Sequence, residues 1–346
     1  MKGTKSKIAG FKRVLTMTVN DEWAPASTLA DVPTLVRLGA AIDGFDYQDM
    51  AYPASGADMV FTDMDETTVH PYEIDEWHTD GESLIWVKLP RLKQGTQFKL
   101  AYGAPSTFNV QRSTSDKHEV WSGYAGVWHM NEDSGTAYDS TANGLDGIPT
   151  AGENGDIGQM IGADNVFCGK GRINATSGME FPAYDGLGLG GSFIVSGFFH
   201  REVVEDEPPR LFARKHLWDS DDGWEISCGD WLHFRGASSS AVGVECAGAP
   251  QQVYVTCVVQ GATVDVYTNG VFGVTGEIAE TDDNARSLGV GRVFSEYDTR
   301  SFQGQYDEIR LRGGSLSADR IKVDYDMIAH PGFLNYGSVT NGAGTK

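Results

Sequence analysis

Cysteine is scarce in this chain: 346 residues include only four, Cys168, Cys228, Cys246 and Cys257, and none of them forms a C-x-x-C pair. The closely spaced thiols of a zinc module are therefore missing. Cys257 lies in an alternating run, 253–259, whose alternate residues share one face of a strand, and this predicts a small core side chain. A disulfide between neighbouring strands stays open as the alternative.

Positive charge is also in short supply. The chain has 27 Lys and Arg against 48 Asp and Glu, a net charge of −21, whereas nucleic-acid binding needs clustered cations for the phosphates. We therefore expect no nucleic-acid partner. Apolar runs fall short of the ~18 residues of a membrane helix, so we expect no membrane insertion by this chain.

Several catalytic and targeting motifs are missing as well. The 8 histidines form no H-E-x-x-H pair, and the sequence contains neither G-x-S-x-G nor a P-loop. Zinc chemistry and acyl transfer are therefore unsupported. The first residues are basic, but Lys12 and Arg13 interrupt an apolar core, so we expect no signal peptide in the chain as given. The protein either acts where it is made or has had a leader removed and replaced.

Glycine, in contrast, is abundant: 43 of 346 residues, about one in eight, against the usual ~7%. Together with 40% hydrophobic residues, this predicts a turn-rich, all-β chain with a buried core. Short β-rich runs recur at 11–19, 34–38, 58–61, 84–89, 97–102, 193–199, 224–228, 253–259 and 263–267, as in sandwiches and barrels. Asn269-Gly270 predicts a hairpin, and one helix is predicted over 318–328, between Ser317 and Pro331.

A polar, patternless stretch around 104–122 predicts a linker between two β domains, 8–110 and 120–335. The first domain carries six motifs in order, namely Phe11–Arg13, Val32–Val36, Asp58–Asp63, Pro71–Trp77, Trp86–Pro90 and Ala101–Gly103. Together they resemble a bacterial domain family of unknown function that often precedes a lectin-like domain and occurs in some ExbB/TolQ/MotA-type proton-channel proteins. The resemblance implies a β-sandwich over 8–110.

The second domain resembles a concanavalin-A-like, laminin-G-like jelly roll with a short C-terminal helix. The motifs that carry this resemblance are Val127–Glu132, Asp139–Gly147, Gly158–Ala163, Val264–Val271 and Gly304–Leu311. The resemblance implies glycan binding, cell-surface adhesion or a structural role, frequently with a structural calcium ion. It does not imply catalysis, because one fold hosts many functions.

Three residues are predicted as ligands of such a calcium ion. Asp139 and Asn143 lie in a Gly-rich loop, and Asp307 lies on a late strand; in laminin-G-like folds a structural calcium often lies near the matching regions. Calcium takes six to eight oxygen ligands, which such loops supply. The alternative is that Asp139 and Asn143 hydrogen-bond their own backbone in a turn, and that Asp307 and its neighbours form an ion pair with Arg310.

An aromatic stretch is the candidate ligand-binding site. Trp218, Trp224, Trp231 and His233 lie within one stretch of the chain with loop residues between them. Sugars stack on exposed tryptophan rings, and histidine binds hydroxyl groups, so these four residues are predicted to form a glycan platform. The alternative is that the tryptophans are buried, as most tryptophans largely are.

Glu73-Ile74-Asp75-Glu76 is the motif that most resembles an enzyme signature. Retaining glycosidases of concanavalin-like fold carry alternating carboxylates on one strand, about 5–5.5 Å apart. Here Glu73 and Asp75 match, but Glu76 is expected on the opposite face of the strand, and Trp77 occupies a position where a third carboxylate is wanted. A structural edge strand explains the motif better than catalysis.

These patterns predict a non-catalytic extracytoplasmic or cell-surface protein that binds a glycan or a protein partner through its jelly roll. The alternative is a structural subunit of a virion, filament or envelope assembly, in which the chain would form a homo-oligomer. A third hypothesis, a glycosidase acting on polysaccharide, would require a carboxylate pair in the jelly roll cleft, and the sequence identifies none.

Overall fold

The computed structural model describes residues 5–109, 116–150, 161–164, 170–174, 178–182, 191–201, 208–246, 251–279, 281, 286–291, 302 and 304–343. The chain divides into two compact units. The first unit consists of Met1–Ser122 and Asp326–Lys346, and the second consists of Gly123–Tyr325.

Within residues 5–109 and 116–122, the N-terminal part of the chain forms seven strands and a short α-helix. They are β1 (Arg13–Val19), β2 (Leu29–Leu38), β3 (Val60–Thr62), β4 (Val69–His70), β5 (Tyr72–Glu76), β6 (Ser83–Leu92), β7 (Gln97–Tyr102) and α1 (Lys117–Val120). The alternation of apolar and polar residues favours these strands. In β1, for example, Leu15, Met17 and Val19 are buried, and the residues between them are partly exposed. The strands predicted in this block are confirmed.

The described residues of the second unit form fifteen strands. They are β8 (Tyr124–Trp128), β9 (Ile148–Thr150), β10 (Ile161–Asp164), β11 (Lys170–Asn174), β12 (Gly178–Phe181), β13 (Ser192–Arg201), β14 (Arg210–Ala213), β15 (Glu225–Cys228), β16 (Trp231–Arg235), β17 (Ala241–Glu245), β18 (Gln251–Gln260), β19 (Thr263–Thr268), β20 (Val271–Glu277), β21 (Leu288–Val290) and β22 (Gly304–Gly313). The chain continues through α2 (Ala318–Ala329), a 3₁₀ turn at Pro331–Phe333, β23 (Leu334–Tyr336) and β24 (Thr340–Asn341).

Two antiparallel sheets form the sandwich of the second unit. One has eight strands, in the order β10-β11-β22-β13-β18-β19-β20 with β8 also on β22, and the other has seven, in the order β17-β16-β15-β14-β21-β12-β9. Val195 and Ile309 of the first sheet and Ile226 and Phe234 of the second belong to one buried hydrophobic cluster. The two sheets therefore pack face to face, as a jelly-roll-like sandwich requires.

The first unit is also built from two antiparallel sheets. One has the order β23-β1-β7-β3-β4 with β24 also on β1, and the other has the order β2-β6-β5. The rings of Phe61 on β3 and Tyr72 on β5 are 5.2 Å apart and fully buried, so the sheets meet across an aromatic core.

The domain bounds predicted from the sequence differ from these units at both ends of the second domain. Lys117–Val120, within the predicted linker, form α1, and the buried ring of Trp121 lies 5.3 Å from Trp86 in the first unit. At the other end, Leu334–Tyr336 pair with β1. β1 thus pairs with a strand that lies more than 300 residues away in the sequence. Local composition cannot indicate such a pairing.

The predicted hairpin and helix are both present. Asn269 and Gly270 have φ angles of 50° and 73°, the conformation of a type I′ turn, and they join β19 to β20. The hydroxyl of Ser317 accepts a hydrogen bond from the Arg320 amide at the start of α2. Neither described helix, with 4 and 12 residues, is long and apolar enough to cross a membrane.

Candidate functional site

The outer face of the seven-stranded sheet carries the most exposed part of the predicted aromatic site. Along β16, Leu232 and Phe234 point into the core, so that Trp231, His233 and Arg235 project from the opposite face. Trp231 is 48% exposed. The rings of Trp231 and His233 are 6.3 Å apart and nearly parallel, with 8° between their planes.

The neighbouring strand β17 leaves room for these rings. Trp231 pairs with Glu245 and His233 pairs with Gly243. A Cβ atom on Gly243 would lie 2.5 Å from the Cδ2 atom of His233 and 2.6 Å from the Leu232 carbonyl oxygen. Glycine at this position therefore allows the imidazole ring to lie close over β17. We call Trp231, His233, Arg235, Gly243 and Glu245 the Trp231 surface.

A charged cluster lies beside the Trp231 surface. Glu225 on β15 is fully buried and joins Arg210 Nε at 2.6 Å and Arg235 Nη1 at 3.1 Å. Arg235 Nη1 also donates a hydrogen bond to the Ser227 hydroxyl at 3.0 Å. Two guanidinium groups and one carboxylate give this Arg210–Glu225–Arg235 cluster a net positive charge, in a chain whose net charge is −21.

Burial and charge also set the protonation of two nearby side chains. Burial, and then the charge of Arg235, lower the pKa of His233 below its ordinary value, so the imidazole is neutral at pH 7. Burial lowers the pKa of Lys215, whose ammonium group donates to the carbonyl oxygens of Gly236 and Ser238. The Trp231 surface thus combines an exposed aromatic ring, a neutral imidazole and a fixed guanidinium group.

The four residues predicted as a glycan platform are not all together. Trp224 is 1% exposed and packs between Phe193 at 5.0 Å and Phe234 at 5.9 Å, as the alternative of a buried tryptophan expects. Trp218 is 45% exposed in the loop between β14 and β15. In the described part of the chain, ring contacts join Trp231 to His233 but not to Trp218.

The predicted calcium loop is filled by internal hydrogen bonds. The carboxylate of Asp139 accepts from the amides of Val127, Thr141 and Leu145 at 3.1, 2.8 and 2.9 Å and from the Thr141 hydroxyl at 2.7 Å. These four donors match the four lone-pair sites of a carboxylate. The Asn143 amide group donates to the Ala125 carbonyl at 2.9 Å. The contacts of Asp139 fit the turn alternative, and the calcium site stays a prediction.

Asp307, the third predicted ligand, lies on β22 opposite Phe198 and is fully buried. Among the described residues, no group of three or more His, Cys, Asp or Glu ligand atoms includes Asp139 or Asp307. The ion pair predicted between the neighbours of Asp307 and Arg310 is formed by Glu308, which contacts Arg310 Nη2 at 2.6 Å and His129 Nδ1 at 2.7 Å.

The carboxylates of the glycosidase-like motif serve as hydrogen-bond acceptors. Glu73 accepts from the indole of Trp121, Asp75 accepts from the indole of Trp86 at 3.0 Å, and Glu76 contacts the imidazole of His78 at 2.9 Å. A β-bulge interrupts the strand between Ile74 and Glu76. These contacts give each carboxylate a structural role in the first unit.

Sequence reasoning missed Arg210, Glu225, Arg235 and Lys215. The signal that could have indicated one of them is Glu225, an acidic residue that begins a strand otherwise made of small and apolar residues. Arg235 follows Glu225 by ten residues, and Arg210 precedes it by fifteen. The three side chains meet only because β14, β15 and β16 pair with one another.

The fold thus defines an all-β protein of two antiparallel sandwich units. Residues 55–142 match a family model described as "Domain of unknown function (DUF2341)". The match covers about a quarter of the chain, begins within the predicted 8–110 domain and extends into the loop that contains Asp139. No curated protein matches the chain.

Several solved structures are similar to part of the chain. Domain 4 of AbnA, a GH43 extracellular arabinanase from Geobacillus stearothermophilus in complex with arabinotriose, has 21% identity and a TM-score of 0.43 over 57% of this chain and 100% of that one. The binding domain of Paraclostridial Mosquitocidal Protein 1 has 10% identity and a TM-score of 0.45 over 59% of this chain and 52% of that one.

The binding domain of botulinum neurotoxin serotype D has 10% identity and a TM-score of 0.43 over 59% of this chain and 51% of that one. The chain thus spans about half the length of the two toxin domains. These similarities assign neither a ligand nor a role to this chain.

Proposed function

We propose that this protein is a non-catalytic binding protein whose second unit recognises a saccharide at the Trp231 surface. The observation that carries the proposal is the half-exposed indole of Trp231, held parallel to the His233 ring on the outer face of a sheet. A flat aromatic ring of this kind buries the C–H face of a sugar, while its edge and its neighbours remain available for polar contacts.

Polar groups along the same face of β16 and on β17 match the hydroxyl groups of a sugar chain, with Arg235 four residues from Trp231 along the strand. His233 and Arg235 project from the same face of β16 as Trp231, and Glu245 lies directly opposite Trp231 on β17. A neutral imidazole both donates and accepts hydrogen bonds, a guanidinium group donates and a carboxylate accepts. Because Arg235 is held by Glu225 and Ser227, its position is fixed before a ligand arrives, which reduces the entropy lost on binding.

The absence of a catalytic role is part of the proposal. It is supported by the contacts of Glu73, Asp75 and Glu76, each of which is bound to a ring N–H group. We further propose an extracytoplasmic or cell-surface location, where saccharides are accessible, with a virion as the alternative. The link to proton-channel proteins stays a prediction.

A glycan array and titration calorimetry test the saccharide proposal with the full chain. We expect the wild-type protein to bind a subset of glycans, and Trp231→Ala to weaken that binding about 30-fold, corresponding to the ~2 kcal/mol of an aromatic hot spot. Trp218→Ala shows whether Trp218 belongs to the same site.

Tyr138→Ala is the matched control. Tyr138 is 59% exposed and lies in the loop between β8 and β9, outside the Trp231 surface, so its removal should leave affinity within about twofold. Consistent lack of binding across diverse glycans would remove the saccharide proposal. Equal losses in Trp231→Ala and Tyr138→Ala would remove the Trp231 surface as its site.

Assembly into a homo-oligomer is the second candidate function. Val271 and Phe272 are 64% and 51% exposed on β20, the last strand of the eight-stranded sheet. An apolar strand at a sheet edge is a template for pairing with another chain. Sedimentation analysis at high concentration tests this: a strict monomer excludes it, and an oligomer that Phe272→Lys converts to monomers supports it.

A further inference from the structure

Two cysteines that are 18 residues apart face each other at one end of the seven-stranded sheet. Cys228 is the last residue of β15, and Cys246 directly follows β17. Their Sγ atoms are 3.6 Å apart, and the residues are only 3% and 2% exposed. Both side chains belong to the hydrophobic core between the two sheets.

The start of β16 explains this approach. β16 separates β15 from β17 along most of their length, but it begins only at Trp231. Beyond that residue the chain turns at 229–230, between the end of β15 and the start of β16. Side chains along a strand alternate between its two faces. Ile226, two residues before Cys228, and Val242, four residues before Cys246, are core residues, so both sulfur atoms also point inward.

The backbone holds the two cysteines in place. The Cys228 amide donates to the Pro209 carbonyl at 3.0 Å, and the Cys246 amide donates to the Asp230 carbonyl at 2.7 Å. The Gly229 amide closes the turn onto the Trp231 carbonyl at 3.0 Å. The sulfur contact is therefore a consequence of ordered backbone on both sides.

A buried guanidinium group accompanies the pair. Arg201 is 3% exposed and donates from Nη1 to the Gly229 carbonyl at 2.6 Å, whereas its Nε and Nη2 atoms have no hydrogen-bond partner among the described residues. The hydrogen bond from Cys228 lowers the pKa of the Cys246 thiol; burial opposes this shift, and the charge of Arg201 adds to it. The same hydrogen bond, together with burial, raises the pKa of Cys228. Cys246 is thus the sulfur that ionises first.

We propose that Cys228 and Cys246 are a disulfide-forming pair that closes when the protein meets a disulfide oxidant such as glutathione disulfide. The Cys246 thiolate attacks one sulfur of glutathione disulfide and releases one glutathione thiolate. Cys228 then loses its proton and attacks Cys246 Sγ, which displaces the second glutathione. Two protein thiols lose two electrons and two protons, and glutathione disulfide is reduced to two glutathione molecules.

Geometry and position both favour this bond. Closing the sulfur contact from 3.6 Å to a disulfide length of about 2.05 Å requires a shift of about 1.5 Å. The bond would close a short loop that contains β16 and β17, so the strands of the Trp231 surface would be tied at one end.

Peptide mapping of the full chain in glutathione buffers tests the proposal. The protein is equilibrated at graded ratios of glutathione disulfide to glutathione, in mild urea so that local opening exposes buried thiols, and is then alkylated and digested. We expect a linked peptide pair that joins Cys228 to Cys246. We also expect a melting temperature that is on the order of 5–10 °C higher than after reduction, as for a disulfide that closes a short loop.

Cys257→Ala is the matched control. Cys257 is fully buried on β18 and belongs to the same core, and burial raises the pKa of its thiol. Its replacement should leave both the linked peptide and the difference between oxidised and reduced melting temperatures unchanged, whereas Cys228→Ser should abolish both. The proposal would be overturned if, at the most oxidising ratio, Cys228 and Cys246 of the wild-type protein are recovered only in alkylated form or only as mixed disulfides with glutathione. A linkage through Cys257 instead would overturn it as well.

Discussion

We expect Glu225→Gln to destabilise the second unit strongly. The glutamate is fully buried and joins the guanidinium groups of Arg210 and Arg235, of which Arg210 is itself 1% exposed. The amide keeps the shape of the side chain but removes its charge. Both guanidinium groups then lose the negative charge that Glu225 supplies, and one of them is buried.

The expected size follows from the depth of the cluster. Removing one member of a buried ion pair costs about 3–5 kcal/mol, and we take the lower end, ~3 kcal/mol, because the amide oxygen still accepts a hydrogen bond. The second unit contains roughly 200 residues. For a unit of this size, 1 kcal/mol shifts the melting temperature by about 2–4 °C, so the expected loss is about 6–12 °C.

Calorimetry and urea unfolding of the full chain measure this loss. Glu245→Gln is the control, because Glu245 is an exposed acid of the same sheet, on β17; its change should stay within about 0.5 kcal/mol. The first unit supplies an internal standard, since a separate transition for it should not move. A Glu225→Gln protein whose unfolding free energy stays within 0.5 kcal/mol of wild type would refute the reasoning.

Two further predictions concern acid stability and calcium. Burial would raise the pKa of Glu308, but the charges of His129 and Arg310 and their hydrogen bonds lower it to about 2; its ordinary value is about 4.3. Glu308 therefore contributes stability that is fully present above about pH 5 and is lost as the pH falls toward 2. Urea unfolding across this range should show that the free energy of unfolding depends less on pH in Glu308→Gln than in the wild type. Asp139→Asn should lower the melting temperature by the same amount in millimolar calcium and in EDTA, because its carboxylate binds protein donors; a loss seen only with calcium present would contradict this.

Much of the fold could be predicted because the signals are local. The run 253–259 alternates, and β18 places Val253, Val255, Cys257 and Val259 in the core. The Asn269-Gly270 turn depends only on the backbone preferences of those two residues. The linker was harder to predict, since α1 is a single helical turn whose stability depends on the burial of Trp121 in the first unit.

The candidate site was predicted only in part. Trp224 and Trp231 both lie at or beside the start of a strand, yet one is 1% exposed and the other 48%. Which of them reaches solvent depends on which face of each strand meets the opposite sheet. Arg235 was missed because a guanidinium group at the end of a strand gives no sign, in sequence, of the buried carboxylate that holds it.

Alternation, turn residues and composition were sufficient to identify an all-β chain with two blocks of strands, because strand formation and hairpin turns depend on neighbours within a few residues. Three-dimensional packing was needed for everything that involves distant residues: the return of β23 to β1, the pairing of Arg210 with Glu225, and the approach of Cys228 to Cys246. Each of these depends on strand order and on where a neighbouring strand begins. Neither property is encoded in a short stretch of sequence, since both arise only when the sheets pair and bury their apolar faces.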